Sequence, residues 1–284
     1  MQFAYETVSK SWATKFLSTV DDSQVMAVRP SQSRGSRFCI GEFSVHNRSG
    51  GNAAVGIGGR ISPSLWSFGV WDESEYAASS VNIDETADAQ SATTGDVNLD
   101  TVGTNSDGFV IGCDVPFNLV SLNLSQASSA GTVWQMYYSV ATAGTGFSSN
   151  FTELTNTYVA PSFGSTGERI IWFEAPNDWH RVLPATSIVN VHGRRSTQVL
   201  GYTAPSQYLL VVKSTTAPNS TRGVMSFANL GRIFMSMNDV PDGGTLTNIG
   251  NIELQLPPQC DAICAAISVA NIQNRCDVKY RYSG

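Results

Sequence analysis

The chain has 284 residues, 42% of them hydrophobic, long enough for one large β domain or two smaller ones around a sizeable core. Only 14% are charged, against about 25% in ordinary domains, and Ser, Thr, Gly, Asn and Ala fill the gap. The formal net charge is −6, which argues against direct, tight nucleic-acid binding, because affinity for a phosphate backbone depends on clustered Lys and Arg.

That charge is unevenly spread. Residues 1–60 hold seven Lys+Arg against four Asp+Glu, and residues 169–284 hold ten against seven. Between Arg60 and Arg169 there is no Lys, Arg or His, and twelve acidic residues fall there: Asp72, Glu73, Glu75, Asp84, Glu85, Asp88, Asp96, Asp100, Asp107, Asp114, Glu153 and Glu168. An acidic middle between two mildly basic ends repels phosphate and attracts a neighbouring copy. Other copies of the same chain are therefore the first partners to expect. Only four lysines occur, and a hydroxyl- and amide-rich surface of this kind is commoner in secreted, cell-surface and virion proteins.

In chain order, Val8, Trp12, Phe16 and Val20 recur every four positions, which reads as a helical face in an N-terminal arm or helix over residues 1–30. No N-terminal segment has the pattern of a signal peptide. From residue 31 to 284 the period becomes two and a single β-sandwich domain is expected. Trp66, Phe68 and Val70 alternate with Ser67 and Gly69, and residues 133–140 and 169–173 read as strands. Ile233, Met235 and Met237 alternate, as do Ile252, Leu254 and Leu256, and Val278, Tyr280 and Tyr282. Ten to twelve such runs with Gly, Pro and Asn/Asp turns predict an antiparallel β-sandwich or jelly roll. Residues 72–108 hold few large apolar groups and are expected as a long acidic surface excursion. The longest clean apolar run, Tyr208 to Val212, is too short to span a membrane, so no membrane insertion is expected.

The excursion contains the best metal candidate. Asp96, Asn98 and Asp100 have the alternate spacing that opens a calcium loop, with Asp107 at the twelfth position. Thr101 stands where that loop needs Gly, and Asp107 where it needs Glu. An ordinary solvated acidic loop without a cofactor is the competing reading. Cys260, Cys264 and Cys276 are close enough for zinc, but no His follows His192 to complete the site, so buried free thiols are expected of the five cysteines.

Catalytic signals are sparse. Asp178 and His180 lie two residues apart, but no Gly-x-Ser-x-Gly elbow occurs, and a turn followed by a strand is the simpler reading. Gly56 to Arg60 lacks the Gly-Lys-Ser/Thr of a phosphate loop and reads as strand. Trp66, Trp71 and Trp134 are the aromatic candidates for a glycan platform, although Trp134 and Trp172 sit inside well-patterned strands. The four Asn-x-Ser/Thr sequons are no more than chance gives in so Asn-, Ser- and Thr-rich a chain.

The closing segment Leu246 to Pro258, a Gly before an alternating strand that ends at Pro, resembles the last strands of virus coat jelly rolls. The low-lysine texture, rich in Ser, Thr, Gly and Asn, is similar to capsid-decoration proteins of tailed phages. The resemblance implies a non-enzymatic virion structural protein, a capsid shell or decoration subunit, whose partners are other copies of itself and other virion proteins. Residues 1–30 lack the basic arm of many small RNA-virus coats, which favours a role without genome contact. A secreted carbohydrate-binding or adhesin-type sandwich is the alternative, with glycan as partner. An enzyme, of which a glycan hydrolase using two carboxylates is the plainest form, comes third.

Overall fold

A computed structural model describes residues 13–18, 25–28, 37–71, 85–91, 97–100, 102–141, 150–182, 207–255, 257–269 and 274–283. The described residues are mostly antiparallel strand, with almost no helix. It divides into two compact units, one of residues 1–62 and 231–284 and one of residues 63–230, where the sequence suggests one sandwich over 31–284.

Among the described residues the first unit has eight strands: β1 (Ala13–Ser18), β2 (Val25–Val28), β3 (Arg37–His46), β4 (Ala53–Ile61), the Gly231–Val240 part of β15 (Val224–Val240), β16 (Thr245–Gln255), β17 (Cys260–Ile267) and β18 (Arg275–Ser283). Their pairing is nested. First pairs with last (β1 with β18), second with seventh (β2 with β17), third with sixth (β3 with β16) and fourth with fifth (β4 with β15). This is one long hairpin of four strand pairs. It is rolled up by two further contacts, β18 on β3 and β17 on β4, into sheets ordered β1-β18-β3-β16 and β15-β4-β17-β2. A hairpin rolled in this way is a jelly roll.

Glycine makes one of these pairings close. Gly58 faces Ile233, beside a register shift between Ile233 and Met235. A side chain there would place its Cβ 2.6 Å from the Arg232 carbonyl carbon and 2.7 Å from the Ile233 Cα. The glycine-rich run Gly56 to Arg60 is thus strand, as its lack of a phosphate-loop signature implies.

The second unit leaves the jelly roll between its fourth and fifth strands. It begins with a 3-10 turn (Pro63–Leu65) and β5 (Trp66–Trp71), followed by a four-residue helix α1 (Thr86–Ala89), β6 (Val97–Asn98), β7 (Gly108–Cys113), β8 (Leu119–Gln126) and β9 (Val133–Ser139). Then come β10 (Phe151–Glu153), β11 (Thr157–Val159), β12 (Gly167–Phe173), β13 (Arg181–Val182), β14 (Gln207–Thr216) and the first half of β15. One sheet runs β10-β9-β14-β7-β5 with β13 beside β14, and the other β11-β12-β8-β15 with β6 beside β15. The first sheet is buried on both faces. On one, Phe68 stacks on Phe109 at 5.2 Å and Trp134 meets Phe163 edge-on at 4.8 Å. On the other, Trp71, Val110, Phe151, Leu209 and Val211 form one cluster with Tyr137. Two buried faces explain why Tyr208 to Val212 reads as a continuous apolar run rather than an alternating one.

Two expectations are corrected. Phe16 does not lie on a helix: residues 13–18 are strand β1, with Phe16 opposite Asp277. A spacing of four is also a multiple of two, so it suits one face of a strand as well as a helix. Val8, Trp12 and Val20 lie outside the described residues. The segment 72–108 is not simply a surface excursion either. Thr86, Ala89, Val97, Leu99, Asp100 and Asp107 are buried. The Thr86 hydroxyl stands in for a strand partner, accepting from the Phe68 N–H at 3.0 Å and bonding its carbonyl at 3.2 Å. Small side chains and one hydroxyl are buried here beside Leu99, one of the few large apolar groups of the segment. Residues 72–84, 92–96 and 101 lie outside the described part.

Candidate binding cleft

The second unit carries a cleft of about 310 Å³, lined by Tyr138 and by two chain segments, 153–156 and 174–178. The first segment is the turn leaving β10, whose Leu154 N–H donates to the Met136 carbonyl at 2.8 Å. The second is the loop leaving β12, tied to the first where the Glu174 N–H donates to the Asn156 carbonyl at 3.0 Å. Asn156, Pro176, Asn177 and Asp178 are turn formers, so both strands stop here for local reasons.

The lining is rich in hydrogen-bond acceptors: the carboxylates of Glu153, Glu174 and Asp178 and the carboxamides of Asn156 and Asn177. Among the described residues no Lys, Arg or His lines it. The Tyr138 hydroxyl donates to Asp178 Oδ1 at 3.0 Å. Burial, then this bond and the Asp178 charge, raise the Tyr138 phenol above its ordinary value. Tyr138 is only 8% exposed, so the one aromatic of the cleft offers no stacking face.

Of the catalytic candidates read from the sequence, Asp178 lines the cleft and His180 does not. Asp178 sits in a turn and His180 just before β13, and they form no catalytic dyad. The Asp178 carboxylate takes the tyrosine hydroxyl, while the Ser139 hydroxyl donates to the His180 carbonyl at 2.6 Å and accepts from the Leu209 N–H at 3.1 Å. Trp66, Trp71, Trp134, Trp172 and Trp179 are all buried, so none of them is a surface platform.

Of the calcium-loop residues, Asp96 lies outside the described part. Asn98 is in β6, opposite Val224. Asp107 is buried, and its carbonyl accepts from the Ser214 N–H at 2.9 Å. The Asp100 carboxylate is used within the protein: Oδ2 accepts from the Ser128 hydroxyl at 2.8 Å and Oδ1 from the Gly223 N–H at 2.9 Å. Among the described residues no group of three His, Cys, Asp or Glu is arranged to hold a metal. Cys113, Cys260, Cys264 and Cys276 are buried free thiols. Burial pushes Cys260 up to about 11 and Cys264 higher still, so neither forms thiolate near neutral pH.

Asp100 yields a pH prediction. Burial raises its carboxyl above the ordinary 3.8, against the opposing pull of Ser128, Gly223 and Arg222. A raised carboxyl binds its proton more tightly folded than unfolded, so it costs stability at neutral pH and that cost fades as pH falls towards 3.8. Urea melts across that window should show the wild type gaining stability relative to Asp100→Asn as pH falls. A difference that stays flat, or runs the other way, means the two hydrogen bonds outweigh burial.

Comparison with family models, curated proteins and solved structures finds no match to this chain. The class of protein is therefore stated from its own fold: an all-β chain whose jelly roll carries a second β-unit between its fourth and fifth strands.

Proposed function

We propose that this chain is a non-enzymatic structural protein of a virion, a capsid shell or decoration subunit that works by self-association. The observation that carries the reading is the nested eight-strand wrap of residues 1–62 and 231–284, the architecture used by viral capsid proteins. Lectin domains and cupins share that wrap, so fold alone is an analogy and charge supplies the second support. The jelly-roll unit holds 11 Lys+Arg against 9 Asp+Glu, a net of +2, and the inserted unit holds 6 against 14, a net of −8. The two units of neighbouring copies therefore attract.

The same distribution weighs against a role in binding the genome, because the acidic unit repels phosphate. The glycan-binding alternative has less support. Its aromatic candidates are buried, and sugar sites lean on exposed ring faces. Among the described residues no helix is long and apolar enough to cross a membrane.

Association driven by complementary charge weakens with salt. Sedimentation velocity on the purified chain should show oligomers at low ionic strength that dissociate as salt is raised. A strict monomer at low salt and high concentration would overturn the reading.

A further inference from the structure

We propose that residues 85–91 are a strap that closes the free edge of β5, and that releasing it opens this edge to the β5 of a second copy. The device is separate from the charge-driven contact above.

Among the described strands β5 ends its sheet, with β7 as its one strand partner. Its sequence is Trp-Ser-Phe-Gly-Val-Trp, six residues with no charge and no proline. Neutral segments of that length, rich in aromatic and β-branched residues, pair with further strands when their edge is free. At the opposite edge of the same sheet β10 has only three residues, so it offers far less to pair with.

On its open side β5 meets the strap where a strand would otherwise lie. The Phe68 N–H donates to Thr86 Oγ1 at 3.0 Å. The Phe68 carbonyl accepts from the Glu85 N–H at 3.1 Å and from the Thr86 hydroxyl at 3.2 Å. Two residues back, the Trp66 carbonyl accepts from Gln90 Nε2 at 3.1 Å, and the same amide donates to the Pro63 carbonyl at 2.7 Å. These are the outward-facing groups that a neighbouring antiparallel strand would use.

Burial anchors the strap only weakly. Its two buried side chains, Thr86 and Ala89, are small, and its other residues are half-buried or exposed. Its helix α1 is four residues long, too short to hold itself. Opening it uncovers little apolar surface, which places it among the cheaper local openings of the fold.

A second β5 suits the opened edge. Antiparallel pairing about a two-fold axis sets no like charges opposite one another, because the strand has none. The two inserted units, each at −8, still repel. Salt screens that repulsion, so pairing through β5 strengthens with salt, opposite to the charge-driven contact.

Thr86→Ala and Thr86→Ser in the full chain test the strap. In dilute protein at high salt, hydrogen exchange at the Phe68 amide should be about tenfold or more faster in the alanine variant. It should stay at the wild-type rate in the serine variant, with the amides of β14 unchanged in both. At high salt and raised concentration, sedimentation velocity should show larger oligomers of Thr86→Ala than of the wild type or Thr86→Ser, and the Phe68 amide should be protected again within them.

An unchanged Phe68 amide means that the hydroxyl does not hold the strap, and faster exchange throughout β14 means that the whole unit loosens instead. Either result overturns the proposal. So does a freed Phe68 amide without added association, or association that leaves this amide unprotected.

Discussion

Gly58→Ala is expected to disrupt the jelly roll, while Gly51→Ala leaves it intact. The Gly58 Cβ would meet backbone atoms of Arg232 and Ile233 that no rotamer change can move aside, whereas nothing lies within 4 Å of a Cβ at Gly51. Accommodation requires β4 and β15 to part, in the fourth and fifth strands of the nested hairpin, so the loss is of the order of 3 kcal/mol or more. Denaturant melts that place the two variants within about 0.5 kcal/mol of each other would show that the strand pair is looser than described.

Asp261→Ala comes next in size. Arg60 is 8% exposed, and its guanidinium grips the Asp261 carboxylate with two N–H groups, Nε to Oδ1 at 2.7 Å and Nη2 to Oδ2. Removing the carboxylate takes both of these bonds from a buried cation, a change that costs about 3–5 kcal/mol in fully buried pairs. The Asp261 side chain is 28% exposed, so water reaches the pair and roughly 2–4 kcal/mol is the expectation here. Arg60→Met with Asp261→Ala should recover much of the loss, because neither charge then remains. If the double variant is as unstable as Asp261→Ala alone, the penalty lies in lost packing rather than in the lost ion pair.

The strands themselves were legible. The alternation around Trp66, residues 133–140 and Val278 falls on β5, β9 and β18, and along β9 burial alternates too, with Trp134, Met136 and Tyr138 buried and Val133, Gln135 and Tyr137 less so. Their nesting was not. β1 pairs with β18 across nearly the whole chain, and nothing in the six residues of β1 marks so distant a partner. Misreading Phe16 as helical has the simpler cause that a four-residue spacing serves both periods. Burial in the excursion is hard to read from sequence because Thr86 and Ala89 are small and Leu99 is one of few large apolar groups there.

The cleft was only half visible. In the sequence Glu153 is one of the twelve acidic residues between Arg60 and Arg169 and Asp178 stands two residues from His180, but nothing joins Glu174 and Tyr138 to them. The usable signal was the pair of polar turns, Thr155-Asn156 and Pro176-Asn177-Asp178, each closing an apolar strand. Their convergence is a property of the sheets, since β9, β10 and β12 carry them together.

Electron microscopy of the purified chain at low and high salt tests self-association most directly. Closed or ring-like particles of repeating subunits at low salt, falling apart at high salt, are the result predicted here. Isolated single subunits under both conditions, at concentrations where shells would assemble, would contradict it.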